Sequence, residues 1–165
     1  VEADGVKPGC ITIVDGVITG FTRLDQRLIE DVLAVHGSDV TKYDLDNCLI
    51  FPGFVDIHTH CREDESGQDC HKEEYATVGL AALNGGVTFV ADMPNNPIVP
   101  INKPTYDIKQ KIAIERCPID VLCYAGVGPA ASPFAGYFRP EIPYKVFLGP
   151  SNRSEDTLHF KDYGQ

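Results

Sequence analysis

From Gly53 onward the chain alternates short apolar runs of strand length with longer segments of helical period. A strand over 53–58 leads through a polar loop, 61–69, to a helix over 72–84 opened by His71-Lys72-Glu73. Tyr75, Val78, Leu80, Ala82 and Leu83 form its apolar side, and Gly85-Gly86 end it. A strand over 87–92 follows, then the proline-rich loop Met93-Pro94-Asn95-Asn96-Pro97. A helix over 103–116, with Tyr106, Ile108, Ile112 and Ala113 as apolar positions, and strands over 119–125 and 144–148 complete the pattern. Strand–helix–strand succession predicts an α/β fold built on a parallel sheet with right-handed crossovers. The segment 126–143 breaks the rhythm. Its four prolines, Pro129, Pro133, Pro140 and Pro143, leave no helical period there.

The first fifty residues read instead as β structure. Ile11-Thr12-Ile13-Val14, Asp15-Gly16 and Val17-Ile18 carry a hairpin signal. The stretches 31–35 and 45–51 read as further strand pieces. The expected division is therefore an N-terminal β segment, 1–51, ahead of an α/β region, 52–165.

Composition narrows the function classes. The net charge is −10 and the isoelectric point about 4.8, which argues against a nucleic-acid groove or an anionic membrane surface as partner. No apolar run reaches the 18 residues of a membrane span. The opening Val1-Glu2-Ala3-Asp4-Gly5 is not a secretory leader and has no initiator methionine, so a processed or incomplete start is expected. The six cysteines, Cys10, Cys48, Cys61, Cys70, Cys117 and Cys123, lack Cys-x-x-Cys spacing and read as reduced thiols of a cytoplasmic protein. Asn152-Arg153-Ser154 matches a glycosylation triplet that nothing else supports.

The chemistry concentrates in Asp56-Ile57-His58-Thr59-His60-Cys61-Arg62. On a strand, alternate residues share a face. Asp56, His58 and His60 therefore line up, and Arg62 extends the row if the strand continues. Paired neutral imidazoles at the end of a buried strand suit zinc or a similar divalent ion. The competing reading is a surface strand with two solvated histidines. The unbroken apolar run before them argues against it, since an exposed strand alternates more cleanly. Arg62 can fork onto a carboxylate, while alternation turns Cys61 into packing.

Together these residues resemble the amidohydrolase superfamily, and within it the dihydroorotases. The resemblance is carried by 52–63, by His71-Lys72-Glu73, by Gly85-Gly86-Val87-Thr88 leading to Asp92-Met93-Pro94-Asn95, and by 144–151. It implies a partial (β/α)8 barrel, of which this chain supplies about the first four strands, with chemistry at the C-terminal strand ends. It implies a metal-dependent cyclic amidohydrolase that interconverts N-carbamoyl-L-aspartate and dihydroorotate in pyrimidine biosynthesis. His58 and His60 would bind zinc, two ions per complete site, and Lys145 would bridge them as a carbamate. Arg62 and Asn95 would hold the substrate carboxylate, with Asp56 in support.

Taken alone, Lys145 lies in an apolar run, Tyr144 and Val146-Phe147-Leu148, that favours burial over a snorkelling lysine, while Asn95 reads equally as a turn former between prolines. Asp92 ends a strand and has no assigned role. The resemblance also implies further histidine ligands and a catalytic aspartate that this sequence does not match. His159, in the polar tail 154–161, and His36 are not matched to them. The expected partners are a small-molecule substrate and the remainder of the barrel, with a homodimer allowed; turnover by these 165 residues alone is not expected. The alternatives are an allantoinase- or hydantoinase-type enzyme, whose substrate lacks the ring carboxylate, and a non-catalytic dihydroorotase-like protein.

Overall fold

The computed structural model describes residues 5–23, 30–31, 33–35, 40–45, 47–128, 141–147 and 158. The chain divides into two compact units, Val1–Pro52 and Gly53–Gln165.

In the first unit, β1 (Gly9–Val14) and β2 (Val17–Arg23) form an antiparallel hairpin. Its two-residue turn has positive φ at both Asp15, 50°, and Gly16, 76°. That is the primed turn whose twist matches the strands, and an Asp-Gly pair adopts it at low cost. The register slips between Thr12 and Ile13, leaving Thr19 as an extra residue in β2. Two expectations fail in this unit. Residues 30, 31 and 33–35 are helical rather than extended, and among the described residues of 45–51 there is no strand. Both segments are short, and a short apolar run cannot by itself separate strand from helix or coil.

The second unit holds a parallel sheet in the order β3 (Phe54–Thr59), β4 (Val87–Asp92), β5 (Asp120–Cys123). Helix α1 (Tyr75–Asn84) joins β3 to β4, and α2 (Lys103–Arg116) joins β4 to β5. The expected third strand is split at Tyr124. Beyond it, β6 (Ala125–Val127) pairs in parallel with β7 (Tyr144–Val146). The hydrogen bonds explain the split. The Tyr124 N–H returns to Asp92 O at 2.8 Å, whereas the Ala125 N–H goes to Pro143 O at 2.9 Å. Just upstream, the Gln110 side chain occupies β5 as a strand would. It accepts the Cys123 N–H at 3.0 Å and donates to Val121 O at 3.1 Å. Of the expected strand over 144–148, Leu148 lies outside the described residues, as do Pro129, Pro133, Pro140, the Asn152 triplet, His36 and His159.

Helix α1 starts at Tyr75, so His71-Lys72-Glu73 precedes it instead of opening it. The Glu74 N–H donates to Thr77 Oγ1 at 3.2 Å at the helix start. Its inward face is Tyr75, Val78, Gly79 and Ala82, while Leu80 and Leu83 are exposed. Gly79 is required there, because a Cβ would lie 2.3 Å from Pro118 Cδ. Helix α2 is capped by Asn102, whose Oδ1 accepts the Thr105 N–H at 3.1 Å, and has proline in its first turn. Its inward face is Tyr106, Lys109, Gln110 and Ala113, so the charged Lys109 is buried while Ile108, expected on the apolar side, is exposed. The core combines Cys61, Tyr75, Tyr106, Ala113, Cys123, Ala125 and Ile142.

Candidate functional site

The site lies where β3 and β4 end. Met93 N–H donates to Thr59 O at 2.9 Å, and Thr59 Oγ1 donates to Ala91 O at 3.0 Å. These bonds hold the two strand ends together. From them the chain projects His60 and Arg62 on one side and Asn95 on the other. His58 and His60 ring centroids are 5.4 Å apart and tilted by 56°. His60 Nδ1 lies 2.7 Å from Asn95 Oδ1. An amide oxygen only accepts, so Nδ1 carries the proton and Nε2 keeps the lone pair. Arg62 Nη1 donates to Asn95 O at 3.3 Å. Asp56 accepts the His58 backbone N–H at 3.0 Å. Asp56, His58, His60, Arg62 and Asn95 are thus brought into one linked group.

Burial is the chief influence on His60 and holds its pKa below the ordinary histidine range. The Arg62 charge adds to this, and the hydrogen bond to Asn95 opposes it. A neutral imidazole results, with one nitrogen held by a hydrogen bond and the other available. That is the condition in which histidine serves as a metal ligand. In this donor chemistry the pair fits a zinc ion. Among the described residues, no three of His, Cys, Asp and Glu converge as a ligand set.

Three expectations need correction. The His58 strand is not buried: Phe54, Val55, Ile57 and His58 are all exposed, so apolar content did not predict burial on β3. Arg62 does not continue the strand row. The strand ends at Thr59, and Arg62 has φ 52°. Lys145 is half-buried, not enclosed. Its Nζ lies 5.4 Å from the Phe147 ring centroid.

The strain at Arg62 is held from both sides. Cys61 and Glu63 are buried, and the Glu63 N–H donates to Cys61 O at 2.5 Å across Arg62. The Cys61 N–H donates to Asp92 Oδ1 at 2.8 Å, and its thiol packs inward, as alternation implied. Burial pushes that thiol's pKa up, and the Asp92 charge adds to the shift. Glu63 accepts the Tyr75 N–H at 2.9 Å and pairs with Arg116. Asp64 accepts the Ile98 N–H at 2.7 Å, tying the two loops together again.

Sequence reasoning missed most of this support. Asp92 is fully buried and accepts from Cys61, from Tyr75 Oη at 2.8 Å and from Lys109 at 2.8 Å. The one available signal was Lys109 itself, a lysine three residues after Tyr106 and four before Ala113 on the inward helical stripe.

Comparison with known proteins gives a family and a fold. A family model described as the amidohydrolase family matches residues 49–158, well over half of the chain. The dihydroorotase of Pyrococcus horikoshii is 25% identical over 167 residues, covering 92% of this chain and 37% of that protein. The dihydroorotase of Shouchella clausii is 39% identical over 103 residues, covering 62% and 23%. The chain thus spans well under half the length of these relatives. Among solved structures, L-hydantoinase (dihydropyrimidinase) from Arthrobacter aurescens matches with a TM-score of 0.60 at 19% identity, over 79% of this chain and 27% of that one. At that identity the match is one of fold.

Proposed function

The chain belongs to the amidohydrolase family, and from that premise we propose that it carries part of the site of a zinc-dependent, dihydroorotase-type cyclic amidohydrolase. Residues 52–165 supply about four strands of a (β/α)8 barrel, preceded by a segment that carries the β1–β2 hairpin. The reaction is the reversible closure of N-carbamoyl-L-aspartate to dihydroorotate, a cytoplasmic step of pyrimidine biosynthesis.

His58 and His60 would hold zinc, and Lys145, once carboxylated on its amine, would add a carbamate to the ligand set. The metal supplies Lewis-acid polarisation of an amide carbonyl. Asn95 keeps His60 in the tautomer that leaves Nε2 free, and Asp56 steadies the His58 backbone. Arg62, whose guanidinium already reaches the Asn95 backbone, takes the ring carboxylate together with Asn95. The observation that carries the reading is the 2.7 Å contact between His60 and Asn95, which joins the metal half of the site to the carboxylate half.

The test uses equilibrium dialysis of the purified chain against zinc. About one ion per chain is expected, lost in the His58→Ala/His60→Ala variant; binding that survives both substitutions overturns the metal assignment. Dihydroorotate is expected to bind the zinc-loaded chain more tightly than uncharged hydantoin, with the preference lost in Arg62→Met. Equal binding of the two ligands overturns the substrate assignment.

A further inference from the structure

A buried lysine ammonium costs free energy unless it is paired and hydrogen-bonded, and a well-packed apolar side chain in its place is often no less stable. Lys109 is 2% exposed, in the middle of the inward face of α2. Packing alone does not call for it. Its acceptors supply a different reason. Nζ reaches Asp92 Oδ2 at 2.8 Å, Met93 O at 2.8 Å and Asn96 Oδ1 at 2.5 Å. The last two flank Asn95. The first belongs to the carboxylate whose other oxygen accepts the Cys61 N–H, between His60 and Arg62. Asn96 Nδ2 then donates to Glu63 O at 3.1 Å. A closed ring of contacts results: Cys61, Asp92, Lys109, Asn96, Glu63, with the strained Arg62 bridging its two ends.

We propose that Lys109 is a positioning residue that sets His60 and Arg62, on the β3 loop, against Asn95, on the β4 loop. It touches none of these side chains and acts through Asp92 and through the backbone and amide on either side of Asn95. Its ammonium is bonded to Asp92, Met93 and Asn96, all on β4 and its loop, and the Asp92 and Asn96 side chains carry the link on to Cys61 and Glu63 of the β3 loop. This inference rests on the proposed metal and carboxylate site for its purpose, and on the ring of contacts for its geometry.

The test substitutes Lys109→Met, and in parallel Asp92→Asn/Lys109→Met. The double variant removes the unpaired buried carboxylate and keeps an oxygen to accept the Cys61 N–H. Two readouts are taken on the full chain: zinc affinity, and the His60 ring-nitrogen signals by NMR of 15N-histidine-labelled protein without metal. Loss of a supporting partner of a metal ligand costs about 10- to 100-fold in affinity. A fall of about tenfold is expected in both variants, together with a shifted His60 Nδ1 signal.

A role confined to neutralising Asp92 would be relieved in the double variant. Affinity within about twofold of the parent there, with the His60 signal unmoved, overturns the proposal. If Lys109→Met alone does not fold, the double variant carries the test. Should zinc binding prove independent of His58 and His60, the metal assignment has failed, and the metal-free His60 signal still decides the role of Lys109.

Discussion

Strands β3 and β4 are neighbours in one parallel sheet with similar apolar content, yet their surroundings differ sharply. Phe54, Val55 and Ile57 on β3 are 55%, 60% and 64% exposed, whereas Val90, Ala91 and Asp92 on β4 are 1%, 3% and 0% exposed. β4 has a strand on each side and α1 against it; β3 is paired only with β4 among the described residues. The strand bodies differ, but the loops beyond them do not. Cys61, Glu63 and Asp64 after β3 are as buried as Met93, Pro94 and Asn96 after β4. Order at the candidate site therefore comes from buried polar links across the two loops, and only on the β4 side from hydrophobic packing of the strand beneath.

The comparison breaks most directly at the carboxylate both loops share. Asp92→Ala strands a buried ammonium and orphans the Cys61 N–H, and is expected to cost about 3–5 kcal/mol in urea unfolding. A loss below about 1 kcal/mol would mean that the polar ring is dispensable. The strand bodies supply the next contrast. Val90→Ala on β4 should cost about 2 kcal/mol through lost burial and an unfilled cavity. Ile57→Thr on β3 should cost less than about 0.5 kcal/mol, because that side chain already faces water. Equal costs would erase the difference between the strands.

The smallest effect expected is an absence of reaction. With iodoacetamide at pH 8, Cys48, which is exposed, should be alkylated in the folded chain, while buried Cys61 and Cys123 should not. Burial raises the Cys123 thiol pKa from 9.0 to about 11, against the opposing Lys109 charge. The folded state thus holds this proton more tightly than the unfolded chain. The corresponding stability is complete below pH 9 and declines as pH rises toward about 11. Mass mapping of the alkylated peptides reads the labelling, and modification of Cys123 at pH 8 would show that the site's floor opens.

Much of the local structure in both units was legible from residue order alone. The strands at 54–59 and 87–92, helix α2 and the hairpin around Asp15-Gly16 follow from apolar periodicity, caps and turn residues, all of which act over a few neighbours. Alternation along β3 likewise puts Asp56 and His58 on one face, with His60 just past the strand end. Burial was not legible. Leu80 and Leu83 face water while Lys109 does not, because helix rotation is settled by what packs against it, here Pro118 against Gly79 and the strand ends against α2.

The split at Tyr124 and the turn at Arg62 were hidden for the same reason. One depends on Gln110 hydrogen-bonding to β5, the other on Asp92 reaching the Cys61 N–H. The sequence by itself determined the elements and the chemical kinds of side chain at their ends. Only the tertiary structure decided which carboxylates and amides meet, because hydrogen bonds such as those between Asp92 and Cys61, or Lys109 and Asn96, join distant residues whose spacing carries no local signal.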